Sequence, residues 1–493
     1  MSEYLISLDQ GTTSTRAILY DQRGQKLAVA SEQIKSYFPH DGWVEQDPKQ
    51  ILASAQRVMQ QVLQQSKISA NQVTGLGITN QRETTLVWDR QTGECVYPAI
   101  VWQDKRTTII CDALRQRPES NTIQQKTGLL LDPYFSATKV NWILHSIPGV
   151  RERAEKGELC FGTVDSFLMW HLAKDHPHVT DVTNASRTLL FNIHDLDWDK
   201  GLLDLFQIPE IMLPEVKPNC AAFGILESTI LGAELPILAV IGDQQSASIG
   251  QGCIFNQQLK ATYGTGCFLL LNTGAECVLS QNKLLSTIAY QVKDNLSYAL
   301  EGSIFIAGAL FKWMKESLAL FKDEGEIEEI ILNLDTPDEL FFVPSLSGLG
   351  APFWDPKAKG AIFGLTQDTH LGHIIKAGLQ GVCYQTRDLI ESLNKDCNSP
   401  VQSLKVDGGM TINAGFLQAL SSCLHLDVHV SSCSEATAFG VFLLSGVQCG
   451  LFSDLEHATQ LCQTAKVYQS HHTAEQATHH YQQWLQHVEK VKV

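Results

Sequence analysis

The stretch LDQGTTSTRAILYD, residues 8–21, places a turn rich in Gly and Thr between two strand-like apolar runs. With YLISLD at its start and QKLAVASEQ after it, the sequence predicts a meander of three strands, ahead of a helix that begins near Ile51. The turn has two interpretations. It is either an ordinary hairpin or a phosphate site, since closely spaced backbone N–H groups and hydroxyls surround a phosphate without adding bulk.

Asp9 stands at the end of the first predicted strand, beside this turn. A carboxylate next to phosphate donors fits a bare anion poorly, but it fits a Mg²⁺ ion held between the carboxylate and the phosphate. The sequence contains no G-x-x-x-x-G-K-[ST] motif, and Gly348-x-Gly350 precedes Ala351-Pro352 instead of opening a helix. We therefore expect hairpin turns to hold the phosphate.

A second strand-turn-strand, LKATYGTGCFLLLNTG, follows near the middle of the chain and again packs Gly and Thr into its turn. Helices predicted at IFIAGALFKWMKESLALF, HIIKAGLQGVCYQTRDLIESL and Gly415 to Leu424 alternate with the strand and turn SLKVDGGM. Each hairpin alone also fits a plain loop, because Gly and Thr clusters are common there. Two such hairpins in successive domains, followed by VDGG at 406–409, are similar to the hexokinase, actin and Hsp70 type of ATPase. In those proteins two related domains clasp one nucleotide.

The length of the chain, 493 residues, exceeds what one hydrophobic core usually serves. We expect two large mixed α/β domains, 1–250 and 251–493, that meet at a tight hinge near Gly250. The 37 basic and 53 acidic side chains give a formal charge of −16, which disfavours non-specific binding to nucleic acid or to an anionic membrane. The sequence has neither a secretory signal nor an apolar run approaching the ~20 residues of a membrane helix. We expect a cytoplasmic protein.

The 13 cysteines include no C-x-x-C pair, so the sequence favours reduced thiols over a disulfide framework or a zinc ribbon. One segment, CLHLDVHVSSC at 423–433, has the Cys and His content of a metal site. The alternation of apolar and polar residues in this segment favours a half-solvated strand instead. Leu426, Val428 and Val430 would lie on one side of the strand, and His425, Asp427 and His429 on the other. Near the C-terminus, an i, i+3, i+4, i+7 pattern predicts a helix that docks through Tyr481, Trp484, Leu485 and Val488.

Longer motifs, in one fixed order, make the likeness to these ATPases specific. They are SLDQGTTSTRA (7–17), GWVEQDP (42–48), GITNQRETT (77–85), AIVWQD (99–104), GLLLDPYFSATKVNWIL (128–144), FGTVDSFLMW (161–170), VTDVTNASRTLLFNI (179–193), GDQQSA (242–247), TYGTGCF (262–268), EGSIFIAG (301–308), GLGAPFWDP (348–356), GAIFGLT (360–366) and VDGG (406–409). Over nearly its whole length the chain resembles the FGGY family of carbohydrate kinases, and within it the members that phosphorylate glycerol. The resemblance implies an α/β fold with two ribonuclease H-like domains of the actin and hexokinase ATPase type, which flank a nucleotide cleft.

The resemblance also implies a set of residues that hold glycerol: Arg82, Glu83, Trp102, Tyr134, Asp243, Gln244 and Phe268. The charged and amide groups of this set can saturate three hydroxyls with hydrogen bonds, while its aromatic rings cover the three-carbon chain and exclude longer sugars. From the sequence alone, each of these residues could instead have a purely structural role. The sequence is equally compatible with a surface ion pair between Arg82 and Glu83. Trp102 and Phe268 could equally be core aromatic residues, and Asp243 could be a turn residue.

The reaction that the resemblance implies is transfer of the γ-phosphoryl group of ATP to a terminal hydroxyl of glycerol, which gives sn-glycerol 3-phosphate and ADP. Asp243 is the expected general base, because it can accept the hydroxyl proton as the bond to phosphorus forms. Asp9 and Asp243 are expected to hold Mg²⁺ through water. The nucleotide is expected to bind to Thr12, Thr13, Ser14, Arg16, Thr265, Gly266, Gly308, Lys312, Gly408, Gly409 and Asn413.

Two other functions fit the same motifs. A kinase of another polyol or of a ketose needs room beyond Phe268, whereas a non-enzymatic nucleotide-binding scaffold of the Hsp70 or actin type has no use for Asp243. Residues 226–236 lack the Gly-rich, Arg-containing loop with which some relatives bind fructose 1,6-bisphosphate, and no His for regulatory phosphorylation occurs between Cys220 and Gly250. We expect neither form of control. By family analogy we expect a homo-oligomer, either a dimer or a tetramer.

Overall fold

The first half of the computed structural model alternates strands with helices. The structure describes residues 4–322, 324–334, 339–355 and 357–493, so Met1–Glu3 and Pro356, the last residue of the GLGAPFWDP motif, lie outside it. The strands of this half are β1 (Tyr4–Gln10), β2 (Ser14–Asp21), β3 (Lys26–Gln33), β4 (Ser36–Tyr37), β5 (Glu45–Gln46), β6 (Val73–Asn80), β7 (Leu86–Asp89), β8 (Ala99–Ile100), β9 (Leu159–Gly162), β10 (Val179–Asp181), β11 (Phe191–Asn192), β12 (Asp197–Trp198), β13 (Glu215–Lys217), β14 (Cys220–Leu226) and β15 (Leu235–Gly242). Its helices are α1 (Pro48–Ser66), α2 (Thr108–Arg115), α3 (Ile123–Thr127), α4 (Ser136–Ser146), α5 (Val150–Glu155), α6 (Val164–Leu172), α7 (Val182–Ala185), α8 (Lys200–Phe206), α9 (Ser228–Leu231) and α10 (Asp243–Gly250).

The second half has the same mixed character. Its strands are β16 (Leu259–Tyr263), β17 (Cys267–Gly274), β18 (Leu285–Val292), β19 (Asn295–Ile304), β20 (Phe341–Val343), β21 (Ala361–Phe363), β22 (Ser403–Asp407), β23 (Asp427–Ser431) and β24 (Thr464–Tyr468). Its helices are α11 (Gly308–Glu316), α12 (Glu324–Asn333), α13 (Leu371–Cys397), α14 (Ala414–Leu424), α15 (Ala436–Gln448), α16 (Leu455–Thr459) and α17 (Ala474–Val491). Short 3₁₀ helices cover Ala70–Gln72, Pro118–Thr122, Glu210–Met212 and Gly409–Ile412. Within the described parts of the chain, no helix has the length and apolar character needed to cross a bilayer.

A six-stranded sheet organises the first half, with the strand order β14-β15-β6-β1-β2-β3. β1, β2 and β3 pair antiparallel in succession, so the predicted meander is confirmed. β6 lies between β1 and β15 and runs parallel to both, with Asn80 opposite Gln10 on one side and Gly242 on the other. Because parallel strands end at the same edge of a sheet, the segments that follow Gln10, Asn80 and Gly242 come side by side.

Helices from different halves of the chain cover the two faces of this sheet. α1 packs in a cluster with Ile6 and Leu19, whereas α15 packs in a cluster with Leu5 and Tyr20. Neighbouring strand residues point to opposite faces, so these two clusters lie on opposite sides of the sheet. A helix from the second half of the chain therefore completes the core of the first half.

The crossing of α10 and α15 is a backbone-to-backbone contact. A Cβ atom on Gly440 would lie 1.9 Å from the Ser246 carbonyl oxygen, and one on Gly250 would lie 2.0 Å from the Ala436 carbonyl oxygen. Only glycine permits such an approach. The Ser246 hydroxyl also donates to the Thr437 carbonyl oxygen at 2.6 Å. These contacts join the halves next to Gly250, where the hinge stays a prediction.

A seven-stranded sheet organises the second half, in the order β18-β19-β17-β16-β22-β23-β24. β16 and β17 form an antiparallel hairpin, and β22 runs parallel to β16, so the predicted strand-turn-strand and the SLKVDGGM strand are both confirmed. The predicted helix at residues 304–321 is only partly correct. Ile304 is still in β19, where it pairs with Cys267, and α11 spans Gly308–Glu316. Strand pairing across the sheet outweighs the local helical pattern there.

The segment 423–433 contains the strand β23, so the strand prediction is confirmed for residues 427–431. The placement of His425 in this strand is wrong, because His425 ends α14 in the left-handed conformation with φ 54°. Its backbone N–H donates to the Ser421 carbonyl oxygen and closes the helix. Across the residues that the structure describes, no group of three or more His, Cys, Asp or Glu side chains is arranged to hold a metal ion.

The C-terminal helix α17 docks on α13 through a buried carboxylate. Tyr481 donates its hydroxyl to Asp388 Oδ1 at 2.8 Å, and Trp484 Nε1 donates to Asp388 Oδ2 at 3.0 Å. Trp484 and Val488 are fully buried, as predicted. The prediction for Leu485 is wrong, because the side chain is 36% exposed. The two bonds to Asp388 turn the helix so that Leu485 lies at the margin of its buried face.

We expect Trp484→Ala to lower the free energy of unfolding by about 3–5 kcal/mol, because it opens a cavity and removes a donor to the buried Asp388 carboxylate. Leu485→Ala is the matched control on the same helix, and we expect it to cost about 1 kcal/mol or less. Guanidinium denaturation monitored by circular dichroism measures both. Equal losses in the two variants would contradict the docking geometry.

Candidate active site

The edge at which β1, β6 and β15 end carries three of the residues that were expected to hold glycerol. Arg82 and Glu83 follow β6, and Asp243 follows β15 as the first residue of α10. The Arg82 Nε atom lies 3.2 Å from Asp243 Oδ1. The Gly242 N–H donates to Thr183 Oγ1 at 2.9 Å, which fixes the backbone immediately before Asp243. The sheet register thus brings Arg82 and Asp243 together from distant parts of the sequence.

Three aromatic residues, Trp102, Tyr134 and Phe268, form what we call the aromatic wall. The Trp102 ring centre lies 5.5 Å from that of Tyr134 and 5.9 Å from that of Phe268, with interplanar angles of 73° and 75°. All three residues are partly exposed, so their rings can reach a ligand. Trp102 and Phe268 are therefore not fully buried core residues, and their contact with glycerol stays a prediction. Trp102 Nε1 donates to Thr12 Oγ1 at 2.8 Å, which joins the wall to the first Gly-Thr turn.

Arg82 and Glu83 do not form a surface ion pair, because each side chain is only 2% exposed. Arg82 Nη1 donates to Glu301 Oε2 at 2.6 Å, and Arg187 Nε donates to Glu83 Oε1 at 2.6 Å. Glu301 Oε1 also accepts from Arg187 Nη2 at 2.7 Å. These four buried residues, Arg82, Glu83, Arg187 and Glu301, form a continuous charge network.

The pKa values of the two carboxylates in the charge network shift in opposite directions. Burial raises the pKa of Glu83. Burial acts on Glu301 in the same direction, but the charges of Arg187 and Arg82 outweigh it and hold the pKa of Glu301 below its usual value. The Glu83 backbone has φ 59°, a left-handed conformation that is uncommon for residues other than glycine. Its carbonyl oxygen accepts from Ser136 Oγ at 3.1 Å, so neighbouring side chains fix this conformation.

Gln244 is oriented by a buried lysine of the second half. Lys260 Nζ donates to Gln244 Oε1 at 2.5 Å and to Thr262 Oγ1 at 3.1 Å. Burial lowers the pKa of Lys260. A lysine can only donate, so this bond identifies the oxygen end of the Gln244 amide and sets its orientation.

Asp9 and Asp243 are two carboxylates close enough to influence each other. Burial, and then the negative charge of Asp243, raise the pKa of Asp9 to about 7. Burial also raises the pKa of Asp243, and the charge of Arg82 opposes that rise. The Asp243 side chain is 26% exposed and can reach a ligand. Such a pair fits a shared Mg²⁺ ion, because oxygen ligands suit that cation and its charge would offset theirs.

The first Gly-Thr turn carries several of the expected phosphate ligands. Thr12 and Thr13 lie in the turn, and Ser14 opens β2. Arg16 projects from β2 and forms an ion pair with Glu435, the residue that precedes α15. Arg16 therefore links the first hairpin to the second half of the chain.

The second Gly-Thr turn meets the start of α11. Thr265 and Gly266 lie between β16 and β17. The Gly308 N–H donates to the Gly264 carbonyl oxygen at 3.0 Å, which brings the turn and the helix start together. Lys312 lies one turn further along α11 and is exposed. Thr265, Gly266 and Gly308 are therefore neighbours, and their binding of the nucleotide stays a prediction.

The VDGG turn lies beside this hairpin because β22 pairs with β16. Gly408 has φ 97°, and Gly409 begins a 3₁₀ helix. Asn413 is the N-cap of α14, where its Oδ1 atom accepts from the Phe416 N–H at 2.8 Å. The Asn413 side chain thus has a structural contact of its own, in addition to the role in nucleotide binding that the resemblance implied.

Sequence reasoning assigned no role to Arg187, Glu301, Lys260 or Glu435. For two of these residues the sequence does contain a signal of a buried, paired charge. Glu301 stands in the otherwise uncharged strand SYALEGSI, and Lys260 follows Leu259 in a strand that is mostly apolar. A lone charge in the middle of a buried strand is expected to be paired, because an isolated buried charge is costly. Nothing in the local sequence named the partners, which lie far away in the chain.

Comparison with known proteins identifies the family. The model for the N-terminal domain of the FGGY family of carbohydrate kinases matches residues 4–250, and the model for the C-terminal domain matches residues 259–449. The chain belongs to the FGGY family of carbohydrate kinases. The family and the fold class predicted from the sequence are therefore confirmed.

Several relatives of this FGGY kinase resemble it over almost their whole length. Glycerol kinase 1 of Pseudomonas aeruginosa is 46% identical over 492 residues, which is 100% of this chain and 99% of that protein. Glycerol kinase of Alcanivorax borkumensis is 48% identical over 92% of this chain and 91% of that protein. The crystal structure of Plasmodium falciparum glycerol kinase with ADP has a TM-score of 0.93 at 34% identity, covering 99% of this chain and 98% of that chain.

We expect Gly408→Ala to destabilise the protein by about 1–3 kcal/mol, because φ 97° is unfavourable for alanine and the new Cβ atom would lie 2.4 Å from the Tyr263 carbonyl oxygen. Gly409→Ala is the matched control, since its Cβ atom would have no neighbour within 4 Å among the described residues. We expect the control to change stability by about 0.5 kcal/mol or less. Thermal unfolding of the ligand-free variants compares them, and equal shifts would contradict this account of the turn.

Proposed function

We propose that this FGGY kinase transfers the γ-phosphoryl group of ATP to a terminal hydroxyl of glycerol. One observation carries the proposal: the partly exposed Asp243 carboxylate lies 3.2 Å from Arg82, and the charge network that holds Arg82 reaches the aromatic wall, because the Arg187 guanidinium carbon lies 5.8 Å from the centre of the Tyr134 ring. Full-length relatives that are named glycerol kinase, at 46% and 48% identity, support the choice of substrate.

The pocket offers complementary groups for a small triol. Arg82 supplies donors, Glu83 supplies acceptors and Gln244 supplies an amide, so three adjacent hydroxyls can each find a strong partner. The aromatic wall presents carbon surface to the three-carbon chain. A longer sugar would have to displace Phe268 or Trp102. The pocket therefore selects for a short polyol.

Asp243 is the general base in this proposal. Its Oδ atoms accept the proton that leaves the glycerol hydroxyl as the oxygen attacks phosphorus. Arg82 opposes the effect of burial on the Asp243 pKa and so favours the ionised carboxylate that a base requires. Mg²⁺–ATP, when bound, supplies the phosphoryl group and neutralises the charge that develops on it. Asp9 and Asp243 are the residues that would hold the Mg²⁺ ion, through water.

Both halves of the chain would contribute to nucleotide binding. In the first half these residues are Thr12, Thr13, Ser14 and Arg16, which offer hydroxyls, backbone N–H groups and a guanidinium to the phosphates. In the second half they are Thr265 and Gly266 at the phosphates, with Gly308, Lys312, Gly408, Gly409 and Asn413 on the adenosine side. Closing the two halves on the nucleotide would exclude water, which otherwise competes with glycerol for the phosphoryl group.

A substrate panel tests the proposal. Purified protein with Mg²⁺–ATP is offered glycerol, dihydroxyacetone, xylulose and ribulose, and ADP release is measured together with the phosphorylated product. We expect the highest kcat/KM with glycerol. Turnover of a pentulose without turnover of glycerol would overturn the proposal and favour a ketose kinase. Nucleotide binding without any turnover would favour a non-enzymatic scaffold.

Asp243→Asn is expected to lower kcat by about 10²–10⁴-fold, because the amide cannot accept the proton. We expect the affinity for ADP, measured by calorimetry, to stay close to that of the unchanged protein. Asp294→Asn is the matched control, since Asp294 lies in the exposed turn between β18 and β19. Normal turnover in Asp243→Asn would disprove the assignment of the base.

Phe268→Ala is expected to raise the KM for glycerol about tenfold or more, because burying a phenylalanine side chain contributes about 1.5–3 kcal/mol. We also expect the preference for glycerol over xylulose to shrink as the pocket widens. Phe255→Ala is the control, because Phe255 is 49% exposed in the loop between α10 and β16. The aromatic wall has no role in selectivity if both KM and substrate preference survive Phe268→Ala.

A further inference from the structure

Glu301 bonds both arginines of the charge network from the opposite half of the chain. It lies on β19, the strand next to the edge strand β18 of the second sheet, and its side chain is 1% exposed. Its two oxygens are used separately, Oε2 by Arg82 at 2.6 Å and Oε1 by Arg187 at 2.7 Å. Both bonds are charge-assisted and short, which makes them the strong class of protein hydrogen bond.

Each arginine in turn touches a residue of the proposed glycerol pocket. Arg82 approaches Asp243 at 3.2 Å through Nε, while its Nη1 atom is the one bonded to Glu301. Arg187 donates to Glu83 at 2.6 Å, and its guanidinium carbon lies 5.8 Å from the centre of the Tyr134 ring. Glu301 is therefore one bond away from the groups that face Asp243, Glu83 and Tyr134.

We propose that Glu301 is a positioning residue for the polyol pocket, which fixes the guanidinium groups of Arg82 and Arg187 from the second half without contacting the substrate. This inference rests on the proposed function as a glycerol kinase. It assigns to the second half of the chain a share in glycerol recognition, in addition to Phe268.

The hydrogen-bond pattern of Arg187 supports this role. Its side chain is fully buried, and its Nη1 atom has no hydrogen-bond partner in the described part of the structure. Its polar contacts are therefore those of Nε with Glu83 and of Nη2 with Glu301. If the bond to Glu301 is removed, one hydrogen-bonded contact remains, and a planar guanidinium held at one point can rotate. Glu83 would then lose its fixed partner.

The balance of buried charges is a second argument for the positioning role of Glu301. Arg82 and Arg187 are matched by Glu83 and Glu301 in a region with almost no exposed side-chain surface. Neutralising Glu301 leaves two buried cations that compete for Glu83 and Asp243. Arg82 already contacts Asp243, so it is expected to move toward that carboxylate and away from its present orientation. The hydroxyl-binding geometry would be lost although no glycerol ligand had been changed.

The test is steady-state kinetics of Glu301→Gln and Glu301→Asp in the full-length protein. We expect Glu301→Gln to raise the KM for glycerol at least tenfold while the KM for ATP changes less than twofold. Glu301→Asp keeps the charge but has a shorter reach, so it should recover part of the loss. Glycerol binding without turnover, followed by tryptophan fluorescence, should weaken in the same order.

The KM for glycerol separates positioning from a merely structural role. A variant that only unfolds more easily has fewer active molecules, which lowers the apparent kcat and leaves KM unchanged. Asp388→Asn is the matched control, because Asp388 is also a buried carboxylate of the second half but bonds Tyr481 and Trp484 at the docked C-terminal helix. We expect it to reduce stability without changing the KM for glycerol.

A wild-type KM for glycerol in Glu301→Gln would overturn the inference, as would an equal rise in Asp388→Asn. If Glu301→Gln does not fold, Arg187→Lys is tested instead. Lysine has no planar guanidinium and cannot bridge Glu83 and Glu301, so we expect this variant to give the same selective rise in the KM for glycerol. An unchanged KM in that variant would also overturn the inference. Failure of the unaltered protein to phosphorylate glycerol contradicts the proposed function instead, so the two outcomes are distinct.

Discussion

The parallel pairing of β6 with β1 on one side and β15 on the other is the constraint on which the site depends. It places Gln10, Asn80 and Gly242 in one row, so that three separate segments leave the sheet at a single edge. Arg82 follows one of these strands and Asp243 another, while the first Gly-Thr turn follows the third. A change of register in β6 would separate Arg82 from Asp243 and disrupt the proposed site, while leaving the fold class intact.

Buried charge is the second organising feature. Arg82, Glu83, Arg187 and Glu301 neutralise one another inside the protein, where an unpaired ion would be strongly unfavourable. Three of them come from the first half and Glu301 from the second, so the pairing also registers one half against the other. Asp243, which lies against Arg82, is partly exposed, so its carboxylate can still meet a ligand. The proposed site therefore combines a buried network of paired charges with a carboxylate that is open to a ligand.

Local patterns in the sequence predicted much of this arrangement. The meander, both Gly-Thr hairpins, the strand before VDGG and the docking of Trp484 and Val488 follow from periodicity and turn chemistry, which depend on neighbouring residues. The predicted burial of Leu485 was wrong because hydrogen bonds to Asp388 set the rotation of α17. The predicted helix at Ile304 was wrong because strand pairing across the sheet outweighed the local helical pattern. The partners of Glu301 could not be predicted, since contacts between residues far apart leave no local signal.

The packing of α15 on the first sheet has a consequence for biosynthesis. The face that carries Leu5 and Tyr20 stays uncovered on the ribosome until translation reaches the segment Ala436–Gln448, when most of the chain has already emerged. The N-terminal half alone therefore lacks the helix that covers this face, and we expect its nascent form to expose an apolar surface. We therefore expect the first sheet to be covered on both faces only after Ala436–Gln448 has been synthesised and has packed on the earliest strands.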